Sequence, residues 1–312
     1  MTREEALKAH ERRPDLNLRE LADVLSVTSN TLRRQISEAR RAVAPAPDFS
    51  AYYPAVEAPL TIQANNCIVT GDIQLPTTST RWVQLMCDIA DTNLPMQGRT
   101  LVLCGDLVNN DAFSSYEPED FQPTATQEYK ALQEFVGYVT QYFERVYWFF
   151  GNQERRAQKR TGNVIPPYLF AAMLLGRWGD RVTVSKFGYA YLHANERWLL
   201  SHQKEYSRQQ LKTANRLAQA YHCNVVTFHQ HLCAMGHDEW GRYKLIDAGG
   251  LFERRAMGYA TLDPSTSAEM VNGFVMFMNG YPHLFGPPGF TDYRLWLGRD
   301  AGHEAEPLRR AA

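Results

Sequence analysis

Short apolar runs alternate with amphipathic segments through the middle of this chain, and this alternation constrains the fold most. The predicted strands are CIVT (67–70), TLVLC (100–104), VYWFF (146–150), WLLS (198–201) and NVVTF (224–228). The predicted helices between them are TRWVQLMCDIADT (80–92), TQEYKALQEFVGYVTQYF (126–143) and SRQQLKTANRLAQAY (207–221). Alternating strands and helices predict a parallel sheet in a layered α/β domain. Further along, YKLIDAGG (243–250), GFVMFMN (273–279) and YRLWLG (293–298) are predicted to be antiparallel strands without helices between them.

Polar residues follow these strands where each strand ends. Asp72, Asp106 and Asn152 each come directly after a glycine, His202 follows WLLS, and a His-x-His pair follows NVVTF. In α/β sheets, functional groups gather at the carboxyl ends of the strands, so these residues should meet in space. Carboxylates, amides and imidazoles are the ligands that two adjacent divalent cations need. A histidine taken singly is more often structural, but five clusters in this order predict a metal site.

The motif series GD-x-Q, GD, GN-Q-E, S-H and H-x-H resembles that of the calcineurin-like metallophosphoesterase family. The usual pattern of that family is D-x-H, GD, GNH(D/E), H and GH-x-H. The match runs from Cys67 to Gly250, and the continuation through Gly273-Phe274 resembles the C-terminal strands of phage and prophage members. The resemblance implies a four-layered α/β/β/α sandwich with a dimetal site at the sheet edge.

The resemblance also assigns roles by position. Asp72, Gln74 and His231 would hold one metal, and Asp106 would bridge to a second, held by Asn152, His202 and His229. The expected cofactors are two divalent ions, Mn²⁺ first, with Ni²⁺, Zn²⁺, Fe²⁺ or Mg²⁺ as alternatives. Asp106, Asn152 and Gln153 are the expected catalytic residues.

Two positions depart from the family pattern in a way that affects chemistry. Gln74 replaces the histidine of the first motif, and an amide oxygen can still coordinate a hard cation. Gln153 replaces the histidine of GNH, and it can donate a hydrogen bond but cannot supply a proton. Losing general-acid help costs about 10²–10⁴-fold for a poor leaving group. A slow esterase, an enzyme for activated esters and a metal-binding protein without catalysis therefore all stay open. Phe228 stands where the last motif usually has glycine, which changes packing rather than chemistry.

Two arginines follow Gln153 directly. Arg155 and Arg156 could supply positive charge to a bound phosphate in place of the missing imidazole. The equally weighted alternative is that both are solvated surface arginines.

The N-terminal segment LNLRELADVLSVTSNTLRRQISEARR has the layout of a helix-turn-helix, with a turn at Ser26-Val27-Thr28. It resembles the helix-turn-helix of bacterial and phage regulators, whose second helix enters the major groove of DNA. The exposed positions expected to contact DNA are Ser29, Asn30, Arg33 and Arg34. Residues 1–41 hold nine Lys/Arg against seven Asp/Glu, a small surplus for DNA binding. A protein-interaction or dimerisation domain, and hence a homo-oligomer, is the alternative.

The predicted organisation is therefore a helix-turn-helix (1–43), an Ala/Pro-rich linker (44–63), the α/β domain (64–299) and a disordered tail (300–312). The chain has no apolar run of about 18 residues and begins with a charged segment, which predicts no membrane contact and a cytoplasmic location. Its five cysteines form no CxxC pair, which indicates reduced, buried thiols. The net charge of -1 carries no global nucleic-acid signature.

The function predicted from these features is metal-dependent hydrolysis of a phosphoester, with nucleic acid first among the substrates if the N-terminal unit binds DNA. A small phosphate ester or cyclic nucleotide is another substrate class. The competing prediction from a different class is a DNA-binding regulator whose phosphoesterase domain has lost catalysis, which Gln74 and Gln153 motivate.

Overall fold

A computed structural model of the chain describes residues 1–43, 57–113, 123–162, 164–256 and 270–298. The chain divides into two compact units, Met1–Ala58 and Pro59–Ala312. Most of the predicted linker (44–56) and all of the predicted tail (300–312) lie outside the described residues. The last three residues of the predicted linker, 61–63, instead form a strand that pairs with the α/β unit, so the linker prediction was too long there.

Within the described part of the first unit lie three helices, α1 (Arg3–Arg12), α2 (Leu18–Val24) and α3 (Ser29–Val43). Thr2 and Asn17 cap α1 and α2 with capping boxes, in which the N3 glutamate returns a hydrogen bond to the cap. The hydroxyl of Thr28 accepts from the amide of Thr31 at 3.2 Å and so caps the start of α3, directly after the predicted turn. A small apolar core joins the three helices, formed by Ala6, Leu21, Ala22, Leu32 and Ile36.

The described residues of the second unit form twelve strands in two sheets. In chain order the strands are β1 (Thr61–Gln63), β2 (Cys67–Thr70), β3 (Thr100–Cys104), β4 (Arg145–Phe149), β5 (Val182–Ser185), β6 (Tyr189–Ala194), β7 (Glu196–Ser201), β8 (Asn224–Thr227), β9 (Cys233–His237), β10 (Lys244–Ala248), β11 (Phe274–Met278) and β12 (Tyr281–Phe285). The first sheet has the order β12-β11-β2-β3-β4-β5, and the second has the order β1-β6-β7-β8-β10-β9. Strands β2 to β5 are parallel, and β7 runs parallel to β8 and β8 to β10.

Five α-helices accompany these sheets in the part of the chain that the structure describes. They are α4 (Thr80–Asn93), α5 (Ala125–Val139), α6 (Asn152–Arg160), α7 (Pro167–Leu175) and α8 (Lys212–Tyr221). Strands β2 and β3 of the first sheet are buried along their whole length, and since successive side chains point to opposite sides, both faces of the sheet are covered there. Ile68 lies in a cluster with residues of α4, α5 and α7, whereas its neighbour Val69 lies in a cluster with residues of the second sheet.

The second sheet is likewise covered on two faces. Trp198 of β7 meets Phe277 of β11 edge-on, with ring centroids 5.1 Å apart, inside the cluster that joins the two sheets. Its neighbour Leu199 lies in a separate cluster with Ala214 and Ala218 of α8. The mixed α/β class predicted from the alternation is therefore confirmed, with two six-stranded sheets and packed helices.

The element predictions were accurate for the first sheet and less so elsewhere. Helix α8 begins at Lys212 rather than near Ser207, because Leu211 adopts a left-handed conformation (φ 60°) that interrupts the helix. The predicted antiparallel strand at 243–250 has one parallel neighbour, β8, and one antiparallel neighbour, β9. The predicted strand at 293–298 is wrong. Residues 293–295 form a 3-10 turn that Asp292 caps, and Tyr293 packs into the core.

All five cysteines are buried and free, as predicted. Burial raises the pKa of the Cys104 and Cys233 thiols, so both stay protonated and apolar at neutral pH. Among the described residues, no helix has the length and apolar character needed to cross a membrane.

Candidate metal centre

The polar residues that follow β2, β3, β4, β7 and β8 meet at one edge of the two sheets. Backbone hydrogen bonds join the first two segments beyond the strands. The amide of Asp72 donates to the carbonyl of Gly105 at 3.1 Å, and the amide of Gln74 donates to the carbonyl of Asp106 at 3.0 Å. The carboxylate of Asp72 accepts from the backbone amide of His229 at 2.7 Å, which attaches the segment after β8 to the same point.

The backbone at this edge is strained. Eleven described residues other than glycine have positive φ, and six of them lie here: Asp72 (49°), Gln74 (58°), Asp106 (51°), Asn110 (51°), His229 (76°) and His231 (53°). Side chains rarely adopt this left-handed region, and each such residue costs about 1–3 kcal/mol. Strain of this kind concentrates at functional sites, where the surrounding structure holds side chains in directions that relaxed backbone would not give.

His202 carries the most informative contacts at the edge. Its ring is buried, and its Nδ1 lies 2.9 Å from the carbonyl oxygen of Cys104, so Nδ1 must carry a hydrogen and donate it. The other nitrogen, Nε2, faces Oδ1 of Asn152 at 3.0 Å and Oδ2 of Asp106 at 3.2 Å. In the neutral ring, Nε2 then carries a lone pair, and this lone pair points at the two oxygens, which are themselves acceptors. Turning the Asn152 amide over would relieve only one of these contacts.

A positive charge placed among these acceptors would remove the repulsion between them. Burial opposes charge on the ring, but the carboxylates of Asp106 and Asp72 outweigh it and raise the pKa of His202 to about 10. A bound cation would satisfy the same lone pairs without the proton. Asp106, His202 and His229 offer ligand atoms that all lie within 4.8 Å of one another, so this group could hold a metal ion.

A second histidine–carboxylate pair, His231 with Asp72, lies at the same edge. Nε2 of His231 is 3.0 Å from Oδ1 of Asp72, and both side chains are buried. Burial would raise the pKa of Asp72, but His231 and His202 together lower it, so the carboxylate stays ionised. The Gln74 amide nitrogen is 3.4 Å from the same oxygen of Asp72. Coordination through Gln74 Oε1 would therefore require the amide to be turned over.

The structure thus brings the seven predicted ligands together. The rings of His202 and His229 are 5.2 Å apart, and burial together with the nearby His202 lowers the pKa of His229, leaving it neutral and able to coordinate. Ionised carboxylates, amide oxygens and neutral imidazoles form the donor set that divalent transition metals accept. The chemistry of these residues therefore fits a metal centre.

Glu154 fixes the geometry of this edge, although the motif comparison gave it no role of its own. The side chain is fully buried, and its carboxylate accepts from the amides of Gly151 (2.7 Å), Asp106 (3.0 Å) and Leu107 (2.7 Å). It ties the segment after β3 to the first turn of α6. Burial and the neighbouring Asp106 raise the pKa of Glu154. Glu154 is the third residue after Gly151 and so occupies position N3 of α6. A glutamate at N3 is typical of a capping box, and this position could have predicted its bond to the amide of Gly151.

The glycines before Asp106 and Asn152 permit this close approach. A Cβ on Gly151 would lie 2.6 Å from the backbone nitrogen of Asp106 and would also overlap its carboxylate. A Cβ on Gly105 would lie 2.6 Å from the backbone of Gly151. The two loops can cross at this distance only because neither residue has a side chain.

The residues expected to contact substrate lie around the start of α6. The amide of Gln153 donates to Oδ1 of Asp106 at 2.8 Å, and its side-chain Oε1 is buried with no partner among the described residues. Arg155 donates to the carbonyl of Lys186 at 3.0 Å, and Arg156 donates to that of Asn109 at 3.3 Å. Both arginines are half-buried and held by backbone carbonyls, so neither is a fully solvated surface residue.

Sequence reasoning missed two supporting groups. Asn110 is fully buried and donates from Nδ2 to the carbonyl of Gln153 at 2.9 Å, which adds a second tie to α6. Gln230, between the two histidines of the last motif, donates to Asp247 at 3.0 Å and accepts from Thr213 at 3.1 Å. The signal for Asn110 was its place just beyond the Gly-Asp of β3. Nothing in the sequence marked Asp247 as the partner of Gln230.

The chain matches no family model and no curated protein. Among solved structures, it is similar to a protein of unknown function, AQ665, from Aquifex aeolicus, with 11% sequence identity and a TM-score of 0.28. That match covers 54% of this chain and 80% of the other. At this TM-score the likeness carries no argument about fold or function.

Metal binding should release protons from this edge. His202 is protonated at neutral pH without metal, because its pKa is about 10, and it must lose that proton to coordinate. Calorimetric titration of MnCl₂ at pH 7.5, in two buffers of different ionisation enthalpy, should show release of about one proton. Affinity should rise up to about tenfold per pH unit below the pKa. The control His237→Gln, at an exposed position on β9, should release the same number. Binding without proton release would contradict this account of His202.

Proposed function

We propose that this protein is a metal-dependent phosphoesterase that uses a two-metal site. The observation that carries the proposal is the convergence of the Asp106 and Asn152 oxygens on Nε2 of His202, inside a group of ligand atoms that could hold a metal ion. These acceptors need a positive charge between them, either a proton on Nε2 or a bound cation that replaces it. The order of the motifs along the strands, and the resemblance to calcineurin-like metallophosphoesterases drawn from that order, extend the proposal from one ion to two.

The arrangement of the sheets supports the finer fold assignment. Helices pack on the outer face of each sheet, and one apolar cluster lies between the sheets. We assign this arrangement to the four-layered α/β/β/α sandwich of the family. The proposed site lies at the edge where the strand ends of both sheets meet.

In this proposal, Asp72, Gln74 and His231 would hold one metal, Asn152, His202 and His229 would hold the other, and Asp106 would contribute to both. Such a metal pair, Mn²⁺ first, neutralises charge on a phosphoryl group and acidifies water. The buried carboxylate of Glu154 keeps Asp106 in place through the backbone amides of Asp106 and Gly151. It is a positioning residue and does not reach the substrate.

The first turn of α6 is suited to the phosphoryl group. The helix dipole is positive at a helix N-terminus and attracts anions, although at α6 the amides of Gly151 and Gln153 already donate to Glu154 and Asp106. Arg155 adds a guanidinium beside this turn, near Asp106 and Glu154. Gln153 can donate a hydrogen bond but no proton to the departing oxygen. The enzyme should therefore favour esters with good leaving groups.

The test is turnover of bis-p-nitrophenyl phosphate with Mn²⁺, Ni²⁺, Zn²⁺ and Mg²⁺. We expect metal-dependent hydrolysis, with Mn²⁺ most active, because the p-nitrophenolate leaving group needs no general acid. Asp106→Ala should reduce the rate to background, because it removes the proposed bridging ligand. His237→Gln should retain full activity.

The outcomes separate the two classes of function. Turnover that requires metal and disappears in Asp106→Ala would exclude a protein without catalysis. Metal binding without turnover would overturn the proposal and support a degenerate phosphoesterase domain in a DNA-binding regulator.

We further propose that the first unit binds DNA through α3. Asn30, Arg33 and Arg34 are exposed and share one face of the helix, since they are three and four residues apart, and Ser29 is half-buried at its start. Arg34 is only 3.9 Å from Glu38, which also pairs with Arg3 at 2.8 Å. These exposed ion pairs are weak and leave the arginines able to exchange partners. A nucleic-acid substrate for the second unit is then the first to test.

DNA binding is tested by gel shift with random duplex DNA at several salt concentrations. Arg33→Ala with Arg34→Ala should weaken binding, and the slope of log affinity against log salt should fall by about two, one for each lost phosphate contact. Arg12→Ala, an exposed arginine at the end of α1, is the matched control and should change little. Unchanged affinity in the double variant would favour a protein-interaction or dimerisation unit that forms a homo-oligomer.

A further inference from the structure

An exposed aromatic ring stands beside the candidate metal centre and has no structural role there. Tyr206 is 55% exposed, and its ring lies edge-to-face with that of His229, at 6.5 Å between centroids and 84° between planes. It follows His202 by four residues in the chain, and its ring contact is with His229, another proposed ligand. No hydrogen bond to its hydroxyl is made by any described residue.

The segment that carries Tyr206 is attached firmly to the centre. The amide of Ser207, the next residue, donates to the buried side chain of Gln230 at 3.3 Å. The amide of Leu211 donates to Asp247 at 2.6 Å, and Asp247 in turn accepts from Gln230 at 3.0 Å. Gln230 lies between His229 and His231 in the chain, so one buried network fixes both the histidines and the segment beside them. The Tyr206 ring is therefore preorganised next to the centre rather than placed there by a free loop.

The charges around Tyr206 favour an anionic ligand. Residues 203–212 contain three cationic side chains (Lys204, Arg208, Lys212) and one anionic side chain (Glu205), a net charge of +2. On the other side of His202, the guanidinium of Arg155 donates to the carbonyl of Lys186. A Cβ built on Gly188 would lie 3.0 Å from this guanidinium and 3.3 Å from the carbonyl oxygen of His202, so Arg155 and His202 are close neighbours.

We propose that Tyr206 is a stacking residue for a nucleobase, which makes nucleotidyl phosphodiesters the substrate class of this site. This inference rests on the proposed phosphoesterase function. An exposed aromatic face beside cationic side chains is an arrangement that suits single-stranded nucleic acids and nucleotides, because every base has a flat π-face and every linkage has a negative charge. An alkyl or sugar ester offers no flat face, so the exposed ring would contribute little to its binding.

The test compares two esters that share the scissile bond and the leaving group. Thymidine 5′-(p-nitrophenyl) phosphate carries a base on the non-leaving side, and methyl p-nitrophenyl phosphate carries none. With Mn²⁺, Tyr206→Ala should lower kcat/KM for the thymidine ester by about 5- to 150-fold, the range measured when a stacking aromatic is replaced by alanine. It should leave the methyl ester within about twofold. Tyr206→Phe and Tyr206→Trp should retain the preference, since the ring and not the hydroxyl stacks.

The matched control is Tyr281→Ala, because Tyr281 is similarly exposed (62%) but lies on β12, beside the turn of the β11–β12 hairpin. That turn binds Asn66, which precedes β2, so it is at the opposite end of the sheet from the candidate centre. Tyr281→Ala should leave both esters unchanged.

The possible results distinguish this inference from the proposed function. Equal loss on both esters, or no loss on either, overturns the stacking assignment while a phosphoesterase that depends on Asp106 still stands. Hydrolysis of both esters that survives Asp106→Ala overturns the proposed function, and the stacking assignment with it. A thymidine dinucleotide and a single-stranded oligothymidylate, used as competing inhibitors, then show whether the base belongs to a short nucleotide or to a strand. Weaker inhibition by both in Tyr206→Ala supports stacking, and unchanged inhibition by both opposes it.

Discussion

Two acceptor oxygens, from Asp106 and Asn152, converge on Nε2 of His202, and the rest of the edge is organised around this arrangement. His202 donates from Nδ1 to a backbone carbonyl, so Nε2 must either carry a second proton, as its raised pKa favours, or coordinate a cation in place of that proton. The acceptor groups at this edge lie close enough to repel one another. Two features hold them there: the strained backbone at Asp72, Asp106 and the two histidines of the last motif, and the glycines that let two loops cross. A cation relieves that repulsion, and this is the physical basis for proposing a metal enzyme.

The alternation of apolar runs with amphipathic segments was sufficient to predict the α/β class and the first sheet, because fully buried strands and the helices covering them differ clearly in periodicity. It failed where local interactions override the pattern. YRLWLG has strand-like composition, but Asp292 caps a 3-10 turn there and Tyr293 inserts into the core. The chain at 61–63 has no apolar run, yet it joins the second sheet because β6 offers it an unpaired edge.

The meeting of the motif residues at one edge could be predicted from the sequence, since they lie at strand ends that topology brings together. Most contacts of the supporting groups could not. Glu154 accepts from the amides of Asp106 and Leu107, 48 and 47 residues away in the chain, and Gln230 contacts Asp247 and Thr213, each 17 residues away, so tertiary packing sets these partners. The same network places Tyr206 beside His229, which is why a specificity residue emerges only from the structure. Gln153 remains the chemical weakness of the site, and it limits the proposed enzyme to substrates that need little acid assistance.

The most direct measurement of the central claim is anomalous diffraction from crystals soaked in MnCl₂, recorded above and below the manganese edge. The account predicts two peaks about 3.5–4 Å apart, with the Asp106 carboxylate between them, and His202 and His231 on different ions. It also predicts that the Gln74 amide turns its oxygen toward the ion nearer Asp72. A single peak, or peaks that lack His202 as a ligand, would contradict the claim that this edge is a two-metal centre.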